Sequence, residues 1–373
     1  MLFKDIIGHQ ELKDKLISLS KTGRISHTQL FLGSEGSGNL AMAIAFSQYV
    51  NCLNPGENDS CGTCTSCLKF DKYTHPDLHF TFPITSPSKL SKEVMENWRS
   101  ALLGNPYLSD FDWLQKLNSE ANKQGNITTE ECRDIISGLG LKSYEAKYKT
   151  QIIWQPEYLL NSGNILLKLL EEPPVGTLII LVGNNTDKIL ATILSRAQLV
   201  KVPRINDVDM TSALMERHEC DQQKASDIAR LADGNYNMAM ALLHIEQDGY
   251  FDLFSRWMRA CYGQKINDIQ PVVDELSTSG REYVKNFLHY TSQMIRSAFI
   301  YRFAQKEMLR VNQTEMGFLV KFSPFLHDGN LEQITHSLDD AVYHAERNAN
   351  LKIMFLNLSL YIGRQLKTPV KAV

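Results

Sequence analysis

Short apolar runs alternate with helix-like stretches along the first 205 residues. Three runs are typical of short buried strands: QLFLG (29–33), TQIIW (150–154) and TLIILVG (177–183). Helical periodicity is present in four stretches: ELKDKLISLSKTG (11–23), NLAMAIAFSQYV (39–50), ITTEECRDIISGLG (127–140) and NSGNILLKLLEEPP (161–174). A threonine followed by acidic residues caps the third stretch, and two prolines stop the fourth. The alternation predicts an α/β domain over residues 1–205.

The strand-like pattern ends near residue 205, and the remaining sequence is helical in pattern. Residues 206–248 carry three short helical segments, which predict a small helical domain. Residues 249–373 carry longer amphipathic stretches and predict an all-α C-terminal domain. The apolar stripe of VKNFLHYTSQMIRSAF (284–299) has two explanations, a partner-binding face or the core of a helical bundle. A bundle core is the more common of the two, and we expect it here.

Composition and charge narrow the class of protein. At 373 residues the chain has room for two or three domains. A formal net charge of −3 argues against a nucleic-acid binder that uses its whole surface, although a local basic patch is compatible with it. No apolar run approaches the ~20 residues that cross a bilayer, and MLFKDIIGHQELKDKL carries charges where a signal peptide is apolar. We therefore expect a cytoplasmic protein with no membrane partner.

Four of the seven cysteines lie close together in NCLNPGENDSCGTCTSC (51–67). Two overlapping C-x-x-C steps and one upstream thiol provide the set Cys52, Cys61, Cys64 and Cys67. Four soft thiolates suit the tetrahedral shell of a structural Zn²⁺, which leaves no open position for catalysis. A redox pair is the alternative, but a redox C-x-x-C normally belongs to a thioredoxin-like setting. The spacing favours a zinc module at residues 52–67, and the isolated thiols are expected to be ordinary core or surface residues: Cys132, Cys220 and Cys261.

The segment GSEGSGNLA (33–41) has the outline of a phosphate-binding loop between a strand and a helix. Gly33 and Gly38 fit the pattern G-x-x-x-x-G-K-[ST], but Asn39 replaces the lysine and Leu40 replaces the hydroxyl residue. Asn39 cannot supply the charge that holds β- and γ-phosphates, and Leu40 cannot ligate Mg²⁺. The backbone amides around Gly33, Gly36 and Gly38 can still cradle an anion. We expect that the loop is retained as the turn that docks helix 39–50 onto the sheet.

Several motifs then occur in a fixed order: the altered glycine loop, the four-cysteine insertion, LLKLLEEPP (166–174), TLIILVGNNTDKILATILSRAQ (177–198) and ERNANLKIMFLNLSL (346–360). Together they resemble the clamp-loader branch of the AAA+ proteins, and within it the delta-prime subunits of bacterial DNA polymerase III. The resemblance extends over the whole chain. It implies an AAA+ (P-loop NTPase-like) α/β domain with a zinc-binding insertion at 1–205, a helical lid at 206–248, and a helical collar at 249–373 that holds an oligomer together.

The resemblance also implies a role in DNA replication. Clamp loaders are pentamers that open a ring-shaped sliding clamp and load it onto primed DNA. Their motor subunits (tau or gamma) bind ATP between neighbours, and delta-prime lends an arginine to the adjacent motor subunit without hydrolysing ATP. Here Ser195 and Arg196 match the family's Ser-Arg-Cys motif, with Ala197 in place of the cysteine. The implied partners are the tau/gamma and delta subunits and, through the assembled complex, the sliding clamp and primed DNA.

Two further departures from an active ATP site agree with the altered loop. Gln155-Pro156-Glu157 follows TQIIW where an Asp-Glu pair is needed for Mg²⁺ and water. In GNYNMAM, Asn237 stands where motor subunits carry a sensor arginine. With three independent losses at one site, we expect no intrinsic catalysis, no hydrolysis of ATP with Mg²⁺, and weak or no nucleotide binding.

Two other functions compete with this interpretation. An active AAA+ clamp-loader ATPase would turn over ATP as an isolated chain, which the three losses argue against. A zinc-dependent nucleic-acid-binding protein would need cations near its knuckle, yet the cysteine segment contains Glu57 and Asp59 and no Lys or Arg. The sequence identifies neither DNA-contacting residues nor a role for residues 76–126.

Overall fold

The computed structural model describes residues 1–85, 89–117, 125–243, 249–303, 309, 311, 313–347 and 349–368. By their contacts the residues form two units: Met1–Glu219 with Asp233–Asn237, and Cys220–Ala232 with Met238–Val373. The division into three domains at residues 205 and 248 stays a prediction. No helix in the described ranges combines the length and apolar character that a membrane span requires.

A parallel sheet of five strands forms the centre of the first unit, as expected for an α/β domain. Its strands are β1 (Thr28–Leu32), β2 (Leu78–Thr81), β3 (Lys149–Trp154), β4 (Thr177–Gly183) and β5 (Gln198–Lys201), in the order β2-β3-β4-β1-β5. In this register Leu30 lies opposite Leu181 on one side and Leu199 on the other. The three apolar runs form β1, β3 and β4, whereas the two edge strands were not predicted.

The helices of the first unit cover both faces of the sheet. They are α1 (Gln10–Lys21), α2 (Asn39–Val50), α3 (Thr65–Asp71), α4 (Met95–Gly104), α5 (Asp110–Leu117), α6 (Thr129–Leu139), α7 (Leu167–Glu171), α8 (Ala191–Leu194) and α9 (Asp207–His218). Every residue of α2 is buried, which explains its largely apolar composition. A compact aromatic cluster lies in the same core, with Trp98 stacked on Phe82 at 4.2 Å between ring centroids.

Two predicted helices of the first unit had different outcomes. The cap of α6 is confirmed, because the Thr128 side chain accepts a hydrogen bond from the Glu131 amide at 3.3 Å. The single helix expected over 161–174 was wrong in its first part, where a 3₁₀ segment (Pro156–Leu166) precedes the short α7. Leu160 interrupts that segment with φ 44° and ψ −136°, a conformation that an L-residue rarely adopts and that no periodicity reveals.

The second unit is entirely helical in its described residues, as the pattern predicted. Beyond α10 (Gln222–Ala232) and α11 (Tyr236–Leu243), which begins within Asp233–Asn237, its helices are α12 (Gly249–Gly263), α13 (Ile266–Thr278), α14 (Arg281–Phe303), α15 (Gln313–Phe322), α16 (Asp328–Glu346) and α17 (Leu351–Leu366). The stripe of α14 is buried, so the bundle-core explanation is confirmed: Val284, Phe287, Leu288, Thr291, Ile295 and Ala298. A buried carboxylate at Glu315 accepts a hydrogen bond from Tyr290 at 2.8 Å and pairs with Arg230 at 3.2 Å.

Candidate functional site

The glycine loop connects β1 to α2 at the carboxyl end of the sheet. Gly36 and Gly38 have φ values of +68° and +90°, which favour glycine. A Cβ on Gly38 would lie 2.8 Å from the Tyr107 ring, and one on Gly36 would collide with the Asn235 side chain. Gly33 ties the loop to the sheet by donating its N–H to the Gly183 carbonyl at 3.2 Å. These contacts show a packing requirement for glycine that is independent of any nucleotide.

Asn39, at the position of the missing lysine, points into the protein. Its Nδ2 donates to the Gly183 carbonyl at 3.0 Å, to Asn184 Oδ1 at 3.0 Å and to the Gly33 carbonyl at 3.4 Å. The side chain thus links the loop to the end of β4 and is 7% exposed. Leu40 beside it is buried in the core. Neither residue is placed to hold a phosphate or a magnesium ion.

Tyr107, in the turn between α4 and α5, covers the same loop. Its ring packs on Tyr236 at 4.8 Å between centroids, and its hydroxyl accepts the Ile7 amide at 2.9 Å. Burial raises the pKa of Tyr107 to about 12, so the phenol stays neutral. Asn237, at the position of the sensor arginine, donates to the Tyr107 carbonyl at 2.6 Å and accepts from Asn105 at 2.7 Å. The Asn237 side chain therefore fastens this turn.

Glu157, which follows β3, binds the protein's own backbone. Its Oε1 accepts the amides of Asn184 at 2.6 Å and Asn185 at 2.8 Å, just after β4. The side chain is buried, and burial raises the pKa of its carboxyl above the usual range. Among the described residues, Oε2 has no hydrogen-bond partner. The group thus clamps the ends of two strands together.

Arg196 follows α8 and lies on the surface with a side chain 30% exposed. Its Nε donates to Glu171 Oε1 at 2.5 Å, and Nη2 contacts the same oxygen. Nη1 donates to the Thr192 carbonyl at 2.8 Å and to Ser195 Oγ at 3.2 Å. The Ser195 hydroxyl itself donates to Thr192 at 3.1 Å, so the serine supports the arginine. The two residues of the sequence motif are therefore in direct contact.

The four clustered cysteines converge at one point between the end of α2 and the start of α3. Their ligand atoms all lie within 4.8 Å of one another, a group that could hold a metal ion. The sulfur of Cys52 is 3.5 Å from those of Cys61 and Cys67, and the sulfurs of Cys61 and Cys67 are 3.9 Å apart. Zn–S bonds of about 2.3 Å in a tetrahedron place thiolates roughly 3.8 Å apart. The spacing fits that geometry.

The surrounding backbone favours thiolates at part of this cluster. Amides donate to sulfur from Cys61 to Cys52 at 3.3 Å, from Cys64 to Cys61 at 3.3 Å, and from Cys67 to Cys64 at 3.4 Å. Hydrogen bonds from the Thr63 and Cys64 backbone lower the pKa of Cys61 to about 6. Burial raises the pKa of Cys52 and Cys67, and a nearby cation would favour the thiolate form of both.

The region that contains the glycine loop, the cysteine cluster and the arginine motif matches a known protein family. The model of the family "DNA polymerase III, delta subunit" matches residues 8–206, which is more than half of the chain. The chain belongs to the DNA polymerase III delta subunit family. This match and two delta-prime relatives confirm the resemblance stated from the motifs.

The similar proteins are themselves subunits of DNA polymerase III. This member of the delta subunit family is 27% identical to the delta' subunit of Bacillus subtilis over 220 residues, which is 59% of this chain and 54% of the relative. It is 25% identical to the Escherichia coli delta' subunit over 232 residues, covering 61% and 58%. It is 25% identical to the tau subunit of Bacillus subtilis over 247 residues, which is 65% of this chain and 37% of the relative. The matches thus span from about a third to just over half of these relatives' own length.

Sequence reasoning found the cysteine cluster and the arginine motif of this family member but missed three residues around them. Tyr107 falls in residues 76–126, to which no role could be given. Glu171 was considered only a structural or interfacial residue of LLKLLEEPP, and Glu157 only a departure from an acidic pair. Their partners are 25 or more positions away in sequence, and no local pattern signals such contacts.

Proposed function

We propose that this protein is a non-hydrolysing, delta-prime-like subunit of a DNA polymerase III clamp loader. It is an AAA+-like subunit that assembles with tau/gamma motor subunits and a delta subunit, and it acts on a sliding clamp and primed DNA through that complex. Its catalytic contribution is Arg196, with Ser195 in support, supplied in trans to the ATP site of a neighbouring motor subunit. The family match supports the clamp-loader setting, and the finer role rests on the site.

The observation that carries the proposal is the inward orientation of Asn39. An ATP site needs a cation at that position, because the β- and γ-phosphates are held by charge. Here the side-chain amide is already bonded to the Gly183 carbonyl and Asn184. Tyr107 covers Gly38, so the loop makes its close contacts with the chain itself. These contacts support weak or no nucleotide binding at Gly33, Gly36 and Gly38, and no hydrolysis.

Arg196 has the properties of a group that acts on another subunit. It lies outside the altered nucleotide site, and its guanidinium is held on the surface next to Ser195. A guanidinium is always charged and presents a planar fork that matches phosphate oxygens. An arginine supplied to a transferring phosphoryl group contributes roughly 10³–10⁵ in rate. The chain thus has lost the parts that bind its own ATP and retains the part that serves a neighbour.

The proposed cofactor is one structural Zn²⁺ held by Cys52, Cys61, Cys64 and Cys67. A cation there would neutralise four thiolates and fix a loop that has little core of its own. The Asp59 carboxylate of this segment accepts the amides of Phe3 and Lys4, both at 3.0 Å. The segment carries no Lys or Arg between its cysteines, which disfavours the alternative of a zinc-dependent nucleic-acid-binding knuckle, because such a knuckle needs exposed cations near phosphates.

The test is ATP turnover by the clamp loader reconstituted from this chain and its own motor and delta subunits, with clamp and primed DNA. We compare the wild type with Arg196→Ala and, as a matched control, Arg133→Ala, an exposed arginine of α6. The Arg196→Ala complex is expected to assemble and to lose the turnover of the one ATP site that the arginine serves. The control complex is expected to retain it.

The isolated chain is assayed beside the complexes as a blank. ATP hydrolysis by the isolated chain would favour the competing function, an active clamp-loader ATPase. Unchanged turnover in a fully assembled Arg196→Ala complex would remove the trans role of the arginine.

A further inference from the structure

The guanidinium of Arg196 is almost fully occupied within its own chain. Of its five N–H groups, the one on Nε donates to Glu171, both on Nη1 are used by Thr192 and Ser195, and one on Nη2 contacts Glu171. In the part of the chain that the structure describes, only the second N–H of Nη2 has no partner. A phosphate that approaches Arg196 therefore meets a guanidinium already engaged.

The edge of the guanidinium formed by Nε and Nη2 is one of the two forks that match a phosphate. Both of these nitrogens face a single carboxylate oxygen, Glu171 Oε1. On the other edge, formed by Nη1 and Nη2, Nη1 already donates both of its hydrogens to Thr192 and Ser195 at the end of α8. A bidentate phosphate contact thus requires that Glu171 leave or that the α8 contacts break. The Glu171 contact is the easier to break, because its side chain is 48% exposed.

We propose that Glu171 is a latch that restrains Arg196 until the terminal phosphate of a neighbour's ATP displaces it. The inference rests on the proposed trans role of Arg196 and adds its regulation. The carboxylate and the phosphate are both anions that compete for one fork, so each must release the arginine before the other binds. The Nη1 contacts to Thr192 and Ser195 persist during the exchange and limit how far the guanidinium can swing.

The latch is weak enough to be displaced. An ion pair with this exposure contributes modestly in water, and its loss changes the available fraction of free guanidinium by about two- to five-fold. Because the exchange affects how readily a nucleotide-loaded neighbour engages Arg196, its effect falls on the ATP concentration needed for turnover. The maximal rate, reached after the fork has exchanged, is unaffected.

The experiment measures steady-state ATP turnover by the reconstituted clamp loader as a function of ATP concentration. The variants are Glu171→Gln, Glu172→Gln as a matched control, Arg196→Ala, and the double variant with Glu171→Gln and Arg196→Ala. Glutamine has nearly the shape of glutamate without its charge, and Glu172 is the exposed glutamate next to Glu171 in the sequence. Thermal unfolding of each isolated chain shows whether the fold is retained.

Glu171→Gln is expected to raise kcat/KM about two- to five-fold through a lower KM at unchanged kcat. Glu172→Gln is expected to match the wild type, and Glu171→Gln to have no effect once Arg196 is alanine. A lower kcat for Glu171→Gln would show that Glu171 aligns the arginine for catalysis, which overturns the latch. Unchanged kinetics, with Arg196→Ala still impaired, overturns the latch alone. An Arg196→Ala complex with full turnover overturns the trans role and the latch together.

Discussion

Tyr107 offers a direct test of how the glycine loop is held. The side chain is 3% exposed and makes two separable contacts, a ring contact with Tyr236 and a hydrogen bond from the Ile7 amide. Tyr107→Phe removes only the hydroxyl, whereas Tyr107→Ala removes the ring as well. The pair of substitutions therefore separates the hydrogen bond from the packing.

The magnitudes follow from the burial of both partners. Ile7 is 4% exposed, so Tyr107→Phe leaves a buried amide without its side-chain acceptor, at a cost of about 1–3 kcal/mol. Tyr107→Ala also empties the space of an aromatic ring against Tyr236 and Gly38, and large aromatic-to-alanine changes cost about 3–5 kcal/mol. The expected order of unfolding free energy is wild type, then the phenylalanine variant, then the alanine variant.

The assay is urea unfolding followed by tryptophan fluorescence. Three of the four tryptophans lie in the first unit, so the signal reports mainly on the part that contains Tyr107: Trp98, Trp113 and Trp154. Tyr144→Ala is the matched control, since this tyrosine of the same unit is 81% exposed and should change stability by less than about 0.5 kcal/mol. If Tyr107→Ala also stays within that limit, the turn does not hold the loop and the reasoning is refuted.

Three further substitutions test the rest of the site and the second unit. Cys64→Ser should abolish zinc binding in elemental analysis and lower the melting temperature. Cys220→Ser lies outside the cluster and should keep the zinc content and the melting temperature of the wild type. Because burial raises the folded-state pKa of Glu157, the native state holds this proton more tightly than the unfolded chain. The contribution of Glu157 to the free energy of unfolding is therefore complete at low pH, and it is lost as the pH rises through the folded-state pKa of this carboxyl. The unfolding free energy of the wild type relative to Glu157→Gln should therefore fall from about pH 4 upward in urea titrations at successive pH values. Glu315→Gln leaves Arg230 with a weakened buried partner and should cost up to about 3–5 kcal/mol by the same method, with the exposed Glu332→Gln unchanged.

The fold was predictable where the signal is local. Strands β1, β3 and β4 each contain a run of apolar residues because they are buried on both faces, and a buried parallel sheet favours that composition. The edge strands carry weaker signals. Three of the four residues of β5 are exposed, and β2 places His79 among its apolar residues, so neither reads as a buried strand.

The residues of the site were likewise predictable only where their sequence pattern is local. The cysteine cluster is contained in 16 residues, and its spacing alone identified it. The contact from Asn39 to Asn184 joins residues 145 positions apart, and Glu171 is 25 positions from Arg196. Asn39 and Asn184 follow the neighbouring parallel strands β1 and β4, whose carboxyl ends meet at one edge of the sheet. Glu171 and Arg196 are brought together by the packing of α7 against α8. The sequence shows Asn39 where the phosphate-loop pattern has a lysine, but it does not show the groups that Asn39 binds.

The contacts of Asn39 and Tyr107 have a thermodynamic consequence for the first unit. A loop that is ordered by bound nucleotide gains stability with the logarithm of the free ligand concentration. Here the corresponding contacts come from residues of the same chain, whose effective concentration is fixed by the covalent backbone. Under the proposed function, the order of this loop does not depend on the ratio of ATP to ADP. The first unit would then keep the same loop conformation while nucleotide is exchanged at a neighbouring subunit.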